Sequence, residues 1–409
     1  MGPIDDTWDG AVFVGYLWLA ASLAMANSPQ YQAIERHRVT VPKGPLNTKS
    51  GHQPRTSYLE SRGTMKIGIT AGYWGSGPPQ GVPEQLAQAE SLGVDSFWTA
   101  EAYGSDALTP LAWWGARTTS MKLGTSICQM AARTPTALAM AAMTLDHLSG
   151  GRVMLGIGAS GPQVVEGWYG QPYPKPLERT REYVDIMRQV MSRETPVDYQ
   201  GRHYQLPFDG GTRLGKALKS TIHPFRPSIP ILLAAEGPKN VALAAEIGDG
   251  WLPLWFSPKS DDFYRSALGE GFAREGARVA PSQFEVACTV WLLEHDDVEV
   301  AASFLKPVLA LYIGGMGAKG ANFHHDVFVR MGWAEECEAI QDAYLAGDRA
   351  KATALIPTAM VEDVALIGPA DKIVEEIESK WRPTCLTTMI LGGWPRDETR
   401  ARILDAVRG

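Results

Sequence analysis

Residues 122–158 read KLGTSICQMAARTPTALAMAAMTLDHLSGGRVMLGIG, and this stretch decides the fold. Lys122–Ile127 is a short apolar run, Pro135–Leu148 is rich in Ala, Met and Leu, and Val153–Gly158 is a second apolar run. Proline suits the first turn of a helix, where a missing N–H costs no intrahelical bond. Gly150-Gly151 follows the last apolar residues, and glycine readily takes the left-handed conformation that ends a helix. The stretch therefore predicts strand, helix, strand. Both strands are continuous apolar runs, the pattern of a parallel sheet covered on both faces.

The same alternation extends in both directions. Lys66–Thr70 and Asp95–Ala100 are strand candidates upstream, with helical segments at Val82–Leu92 and Leu108–Thr119. Downstream come Ile229–Ala235, Gly250–Leu254, Glu285–Leu293 and Leu386–Leu391. About eight strands with helices between them predict an α/β fold, a (β/α)8 TIM barrel with insertions. A doubly wound open sheet is the alternative, and the lack of a G-x-G-x-x-G after the first strand weighs against it. Two stretches exceed ordinary loop length, near 162–227 and 305–364. The second contains GGMGAKGANFHH, residues 314–325. Long insertions in a barrel shape its substrate side.

Residues 1–64 differ in character. The apolar run AVFVGYLWLAASLAMA, 11–26, is shorter than the roughly 20 residues that span a bilayer. Asp5, Asp6 and Asp9 precede it, the wrong sign for a secretory leader. Residues 27–64 have no period of either kind. Met65 then opens a strand, so the expectation is one domain over 65–409, preceded by a disordered arm or by sequence foreign to the native chain. A net charge of −7 with no basic block argues against nucleic acid as a partner. Four scattered cysteines without a C-x-x-C suit a reducing cytoplasm and argue against a disulfide scaffold and a structural zinc site. No membrane partner is expected.

In a barrel of this type the site lies at the C-terminal ends of the strands. Tyr73 and Trp74 follow strand 1, Glu101 and Tyr103 follow strand 2, and Ser126-Ile127 closes strand 3. Ser160, Gly161 and Gln163 follow strand 4, Ala235 to Lys239 follow strand 5, and Trp255 and Phe256 follow strand 6. There is no G-x-S-x-G elbow and no H-E-x-x-H. His324-His325 are adjacent ring ligands with no third nearby, so no metal is expected. Aromatics, small residues, one carboxylate and helix N-termini suit a large, flat, anionic cofactor. The backbone N–H groups at the helix start Gly237, Pro238, Lys239 can hold a phosphate, with the Lys239 charge beside them. Tyr73, Trp74 and Trp255 are the candidate substrate walls.

Four stretches carry a family resemblance: FWTAEAYGSDALTPLAW (97–113), LGTSICQMAARTPTALAMAAMTLDHLSGGRVMLGIGASGPQVVEGWYG (123–170), PILLAAEGPKNVALAAEIGDGWLP (230–253) and GPADKIVEEI (368–377). At these residues the sequence resembles the luciferase-like oxidoreductase superfamily, and within it the coenzyme F420-dependent, deazaflavin branch of actinobacteria. The flavin mononucleotide (FMN) monooxygenases share the barrel and are the alternative. The resemblance implies a non-prolyl cis peptide at Ser126-Ile127, pressing on the ring from behind. It implies that Glu101 bonds the polar edge of the ring. Ser160, Gly161 and Gln163 would contact the ring or its side chain, and Ala235, Glu236, Gly237, Pro238 and Lys239 the tail phosphate. Several relatives follow the strand-2 carboxylate with a histidine that assists proton transfer. Here Ala102 stands in that place, which leaves Glu101, Tyr103 or an insertion residue as the acid/base group. The expected activity is hydride transfer between the deazaflavin and a small organic substrate. A reduced-flavin monooxygenase and a non-catalytic cofactor carrier are the alternatives. Association as a homodimer or larger homo-oligomer, with a contribution from the helix over 136–148, is expected by fold analogy.

Overall fold

The computed structural model describes residues 64–317, 319–320 and 322–409. Of the arm expected over 1–64, residues 1–63 lie outside the described residues. Eight parallel strands close into a barrel. They are β1 (Lys66–Thr70), β2 (Ser96–Thr99), β3 (Lys122–Thr125), β4 (Val153–Gly158), β5 (Ile231–Ala234), β6 (Gly250–Leu252), β7 (Glu285–Glu294) and β8 (Thr388–Leu391). Each pairs with the next, and β8 pairs with β1 to complete the ring. The helices around it include α1 (Val82–Ser91), α2 (Leu108–Gly115), α3 (Pro135–Ser149), α4 (Pro176–Ser192), α5 (Pro238–Ile247), α6 (Asp261–Phe272) and α7 (Val298–Ala310).

The barrel interior is plugged by Trp98, Leu232, Leu252, Ala287 and Ile390. Trp98 fits because Gly124 faces it: a Cβ there would lie 2.3 Å from the indole. A larger apolar layer between strands and helices makes the main core. Carboxylates fasten the bottom of the ring. Asp95 accepts from Ile67 N–H at 2.8 Å, and Asp249 accepts from Ile231 N–H at 2.8 Å and from Arg188 at 2.7 Å.

The decisive βαβ unit forms as read. Thr134 caps α3 by accepting from Ala137 N–H, Pro135 starts it, and Gly150 ends it at φ 68°. The D-H-L-S-G-G-R run, 146–152, spans the end of α3 and the turn after it and is structural. Asp146 is buried, binds Arg226 at 3.0 and 2.8 Å, and accepts from Val153 N–H. Arg152 donates to Met121 O and to the Thr118 hydroxyl and carbonyl, tying α2's exit to β4.

The two long stretches differ in kind. The stretch near 162–227 contains α4, the barrel's own 17-residue helix, with a short antiparallel hairpin after it. Only its flanks are additions to the barrel. The stretch near 305–364 builds a second core around α7, Phe328, Cys337 and Ile340. It holds α8 (Phe323–Arg330), α9 (Ala334–Leu345) and α10 (Arg349–Ala354). A strand that the sequence reading missed, Ala365–Gly368, then pairs beside the outer half of β7. Among the described residues one helical run, Val298–Gly315, is long and apolar enough to cross a membrane, and it is 61% buried within this second core.

Candidate active site

The site begins where β3 breaks. The Ser126–Ile127 peptide is cis, and a two-residue strand, Cys128–Gln129, resumes against the end of β4. Thr125 holds the break: its hydroxyl donates to Gly156 O at 2.8 Å and accepts from Gly156 N–H at 2.9 Å. Gly156 is required there, because a Cβ would lie 1.9 Å from Thr125 O. Ile127 and Ala234 keep partial exposure above the buried plug and form the floor of the mouth.

Glu101, at the end of β2, is 4% exposed. Its carboxylate accepts from Ala107 N–H at 3.1 Å, from Gln129 N–H at 3.0 Å and from Arg133 Nη1, which reaches the two oxygens at 2.9 and 2.8 Å. Both oxygens are thus engaged. Its charge acts on its neighbours. Burial, reinforced by Glu101, pushes the Cys128 thiol and the Tyr169 phenol each up to about 12. Cys128 therefore stays protonated at neutral pH. Tyr103 is half-buried, with its ring 6.4 Å from Trp168.

Glu236, after β5, is 7% exposed and has a different environment. His324 Nδ1 lies 2.9 Å from its Oε1, while its buried Oε2 has no partner. His324, also 7% exposed, comes from α8 in the second long stretch. Asn322 fixes that turn: its Oδ1 accepts from the N–H groups of His324 and His325, and its Nδ2 donates to Tyr312 O and Ile313 O. The His324 ring meets Tyr312 edge-on at 4.8 Å and Phe323 at 4.4 Å. Tyr312 bonds Tyr73 and meets Trp255 edge-on at 5.1 Å. Burial raises the Tyr73 phenol above its ordinary value, and its bond to Tyr312 partly offsets that.

These contacts form a bridge. Tyr73 follows β1 and Glu236 follows β5, on opposite sides of an eight-stranded ring. The line Tyr73–Tyr312–His324–Glu236 therefore crosses the mouth. Trp255 joins it from β6, and Phe323 approaches Gly161 after β4. Trp255 sits at φ 54°, a conformation bulky residues rarely adopt, and its buried indole N–H has no acceptor. A buried donor without a partner is costly, and such groups concentrate where a ligand completes the set.

The remaining predicted residues take other places. Ser160 is at φ 59°, and its carbonyl accepts from the Tyr173 hydroxyl at 3.1 Å. Gln163 is exposed on the short helix that Gly161 begins. The Ala235 carbonyl accepts from Trp251 Nε1. Gly237 starts α5 with no side-chain cap, and the space its Cβ would enter is open. Pro238 and Lys239 are exposed beside it. Trp74 packs on Trp114 with ring centroids 5.6 Å apart, against the main core. The sequence reading missed Arg133, Tyr312 and Phe323, and took His324 only as half of a weak metal pair. The one available signal was Asn322, a helix-capping residue directly before the two histidines.

The Luciferase-like monooxygenase family model matches residues 63–387. The chain is 52% identical over 338 residues to a Mycobacterium tuberculosis protein provisionally named a coenzyme F420-dependent oxidoreductase, covering 82% of this chain and 97% of that one. It is 30% identical over 299 residues to the 5,10-methylenetetrahydromethanopterin reductase of Archaeoglobus fulgidus, covering 71% of this chain and 82% of that one. The coenzyme F420-dependent tetrahydromethanopterin reductase of Methanopyrus kandleri has the same fold, with a TM-score of 0.67 at 24% identity over 84% of this chain and 98% of that one. With its cis break at β3, its closed parallel ring and these matches, the chain belongs to the luciferase-like monooxygenase family.

Proposed function

We propose that the protein is an oxidoreductase that uses the deazaflavin coenzyme F420 to move a hydride to or from a small organic substrate. One observation carries the cofactor class: the M. tuberculosis relative, similar over nearly its whole length, is named for that coenzyme. The mouth has the chemistry for a flat ring with an anionic tail. Ile127 and Ala234 offer a partly exposed apolar floor. Gln129 Oε1 and Glu236 Oε2 are buried acceptors without donors, suited to the N–H groups of a heteroaromatic edge. The uncapped start of α5, with Lys239 beside it, suits the tail phosphate.

When bound, the coenzyme supplies a ring carbon that accepts or donates a hydride. The chain's part is to orient and enclose. The Ser126–Ile127 break would support the ring, Glu101 and Arg133 hold the β2 and β3 ends together, and the Tyr312–His324 bridge would help exclude water. The same reading places the protein in the cytoplasm. It also makes the protein a homo-oligomer through α2 and α3, where Trp113, Met140 and Leu148 are 70%, 57% and 79% exposed. Trp113→Glu is expected to shift the mass in light scattering toward the monomer.

The deciding experiment titrates the protein with oxidised coenzyme F420 and, separately, with FMN, following fluorescence. Micromolar or tighter binding of the deazaflavin alone supports the proposal. Preference for FMN, with oxygen uptake on reduction, assigns the monooxygenase activity instead.

A further inference from the structure

We infer that His324 gives and takes the proton at the substrate oxygen, that Glu236 holds its ring for that task, and that the substrate is therefore a carbonyl–carbinol couple. The inference rests on the hydride-transfer reading above. Hydride transfer to a carbonyl carbon leaves one proton to be added at oxygen, and oxidation of the carbinol leaves one to be removed. The residue that handles it must stand over the mouth and keep an atom free of structural bonds. Glu101 does not qualify, because three donors occupy its two oxygens. Ala102 has no proton to offer.

His324 qualifies on both counts. It lies within the bridge that crosses the mouth, between Tyr312 and Glu236. Its Nδ1 is taken by Glu236, so Nε2 is the nitrogen left for a ligand. A carboxylate on Nδ1 places the neutral ring's proton there and leaves Nε2 as the acceptor. Oxidation moves the hydroxyl proton to Nε2, and reduction returns a proton from the imidazolium to the new alkoxide. Exchange with solvent resets the ring. Among the other described histidines, His147 is bonded to His223 O, His295 Nδ1 to Asp297, His203 faces Glu178 at 3.7 Å and His325 Nδ1 lies 3.6 Å from Asp326. Phe323 and Tyr312 flank the ring, so the carbonyl carries apolar substituents.

Glu236 also precedes the helix start assigned to the tail phosphate, and the two roles separate by direction. The Glu236 carboxylate meets His324 within the bridge, whereas the phosphate site is formed by backbone N–H groups at the start of α5 and by exposed Lys239. Arg330 donates to the Glu236 carbonyl at 3.1 Å and fixes the backbone between them.

The test uses the full chain in three measurements. Nitrogen-15 NMR of histidine in the cofactor-free protein is expected to place the neutral His324 proton on Nδ1, with Glu236→Gln moving it toward Nε2. A proton on Nε2 in the wild type overturns the pair. Fluorescence titration with coenzyme F420 is expected to give one affinity for wild type and His324→Ala. A His324→Ala loss confined to coenzyme binding makes His324 a tail ligand and overturns the proposal. Turnover of aliphatic and aryl ketones by His324→Ala is expected to fall about 100-fold or more and to recover with added imidazole. Loss without rescue, or a wild type that reduces no ketone or aldehyde, overturns it as well. A wild type that fails to bind the coenzyme sinks the preceding proposal instead, and the NMR result then judges the His324–Glu236 pair alone.

Discussion

Two buried carboxylates stand on either side of the mouth, and their surroundings are opposite. Glu101 is held by two backbone N–H groups and a guanidinium. Glu236 has one histidine on one oxygen and nothing on the other. The first arrangement is rigid, because every lone pair in use is tied to the frame. The second leaves one acceptor and one ring nitrogen to a ligand. A strand-end carboxylate is therefore not catalytic by position: the donors already on it decide what remains available.

The contrast can be broken by mutation. Glu101→Ala leaves Arg133 without its partner and strips an acceptor from two N–H groups. Removing one member of a largely buried pair costs about 3 kcal/mol, to be read from urea unfolding. An unchanged midpoint together with lost turnover would return Glu101 to a catalytic role. Glu236→Gln keeps an oxygen on the same side chain, so unfolding is expected to shift by no more than about 1 kcal/mol. Its effect should appear instead in turnover, in coenzyme binding and in the His324 proton position. A large stability loss would make the Glu236 pair a second frame element.

Trp255→Phe sharpens the comparison on the ligand side. It removes a buried indole N–H that has no acceptor while keeping an aromatic ring against Tyr312. Thermal unfolding is expected to be unchanged or slightly raised, with weaker binding of the cofactor or substrate. Equal binding would mean that the indole N–H meets no ligand.

The smallest effect concerns Glu90, a carboxylate near the surface whose Oε1 accepts from Thr119, Ser120 and Met121. Its carboxyl is lowered from 4.5 to about 2: burial acts to raise it, but bonds from Ser120, Thr119 and Met121 outweigh that. A depressed folded value means that its stabilisation is complete above about 4.5 and is lost as pH falls toward 2. Glu90→Gln should flatten the decline in stability within that acid window and leave the pH 6–8 region parallel to wild type. A wild-type-like acid decline in the variant would contradict this.

Much of the frame was legible. The apolar runs marked all eight barrel strands, because a strand buried on both faces has no polar alternation to hide it. Thr134, Pro135 and Gly150 marked the ends of α3. The Ser126-Ile127 break came from resemblance, and the D-H-L-S-G-G-R run inside the resembling stretch 123–170 forms a clamp around Asp146 and Arg152. The short strand 365–368 was missed: four residues beside the outer half of β7 carry too little pattern.

By itself the sequence determined the barrel, its strand order and the strand-end residues from which any site must be drawn. These follow from local periodicity and from the rule that consecutive parallel strands pair through a covering helix. Only the tertiary structure decided which strand-end residues are spoken for. Glu101 meets Arg133 across 32 residues, and Glu236 meets His324 across 88. Such pairings depend on where closure of the ring and docking of the second core bring distant side chains, and no spacing along the chain encodes that distance.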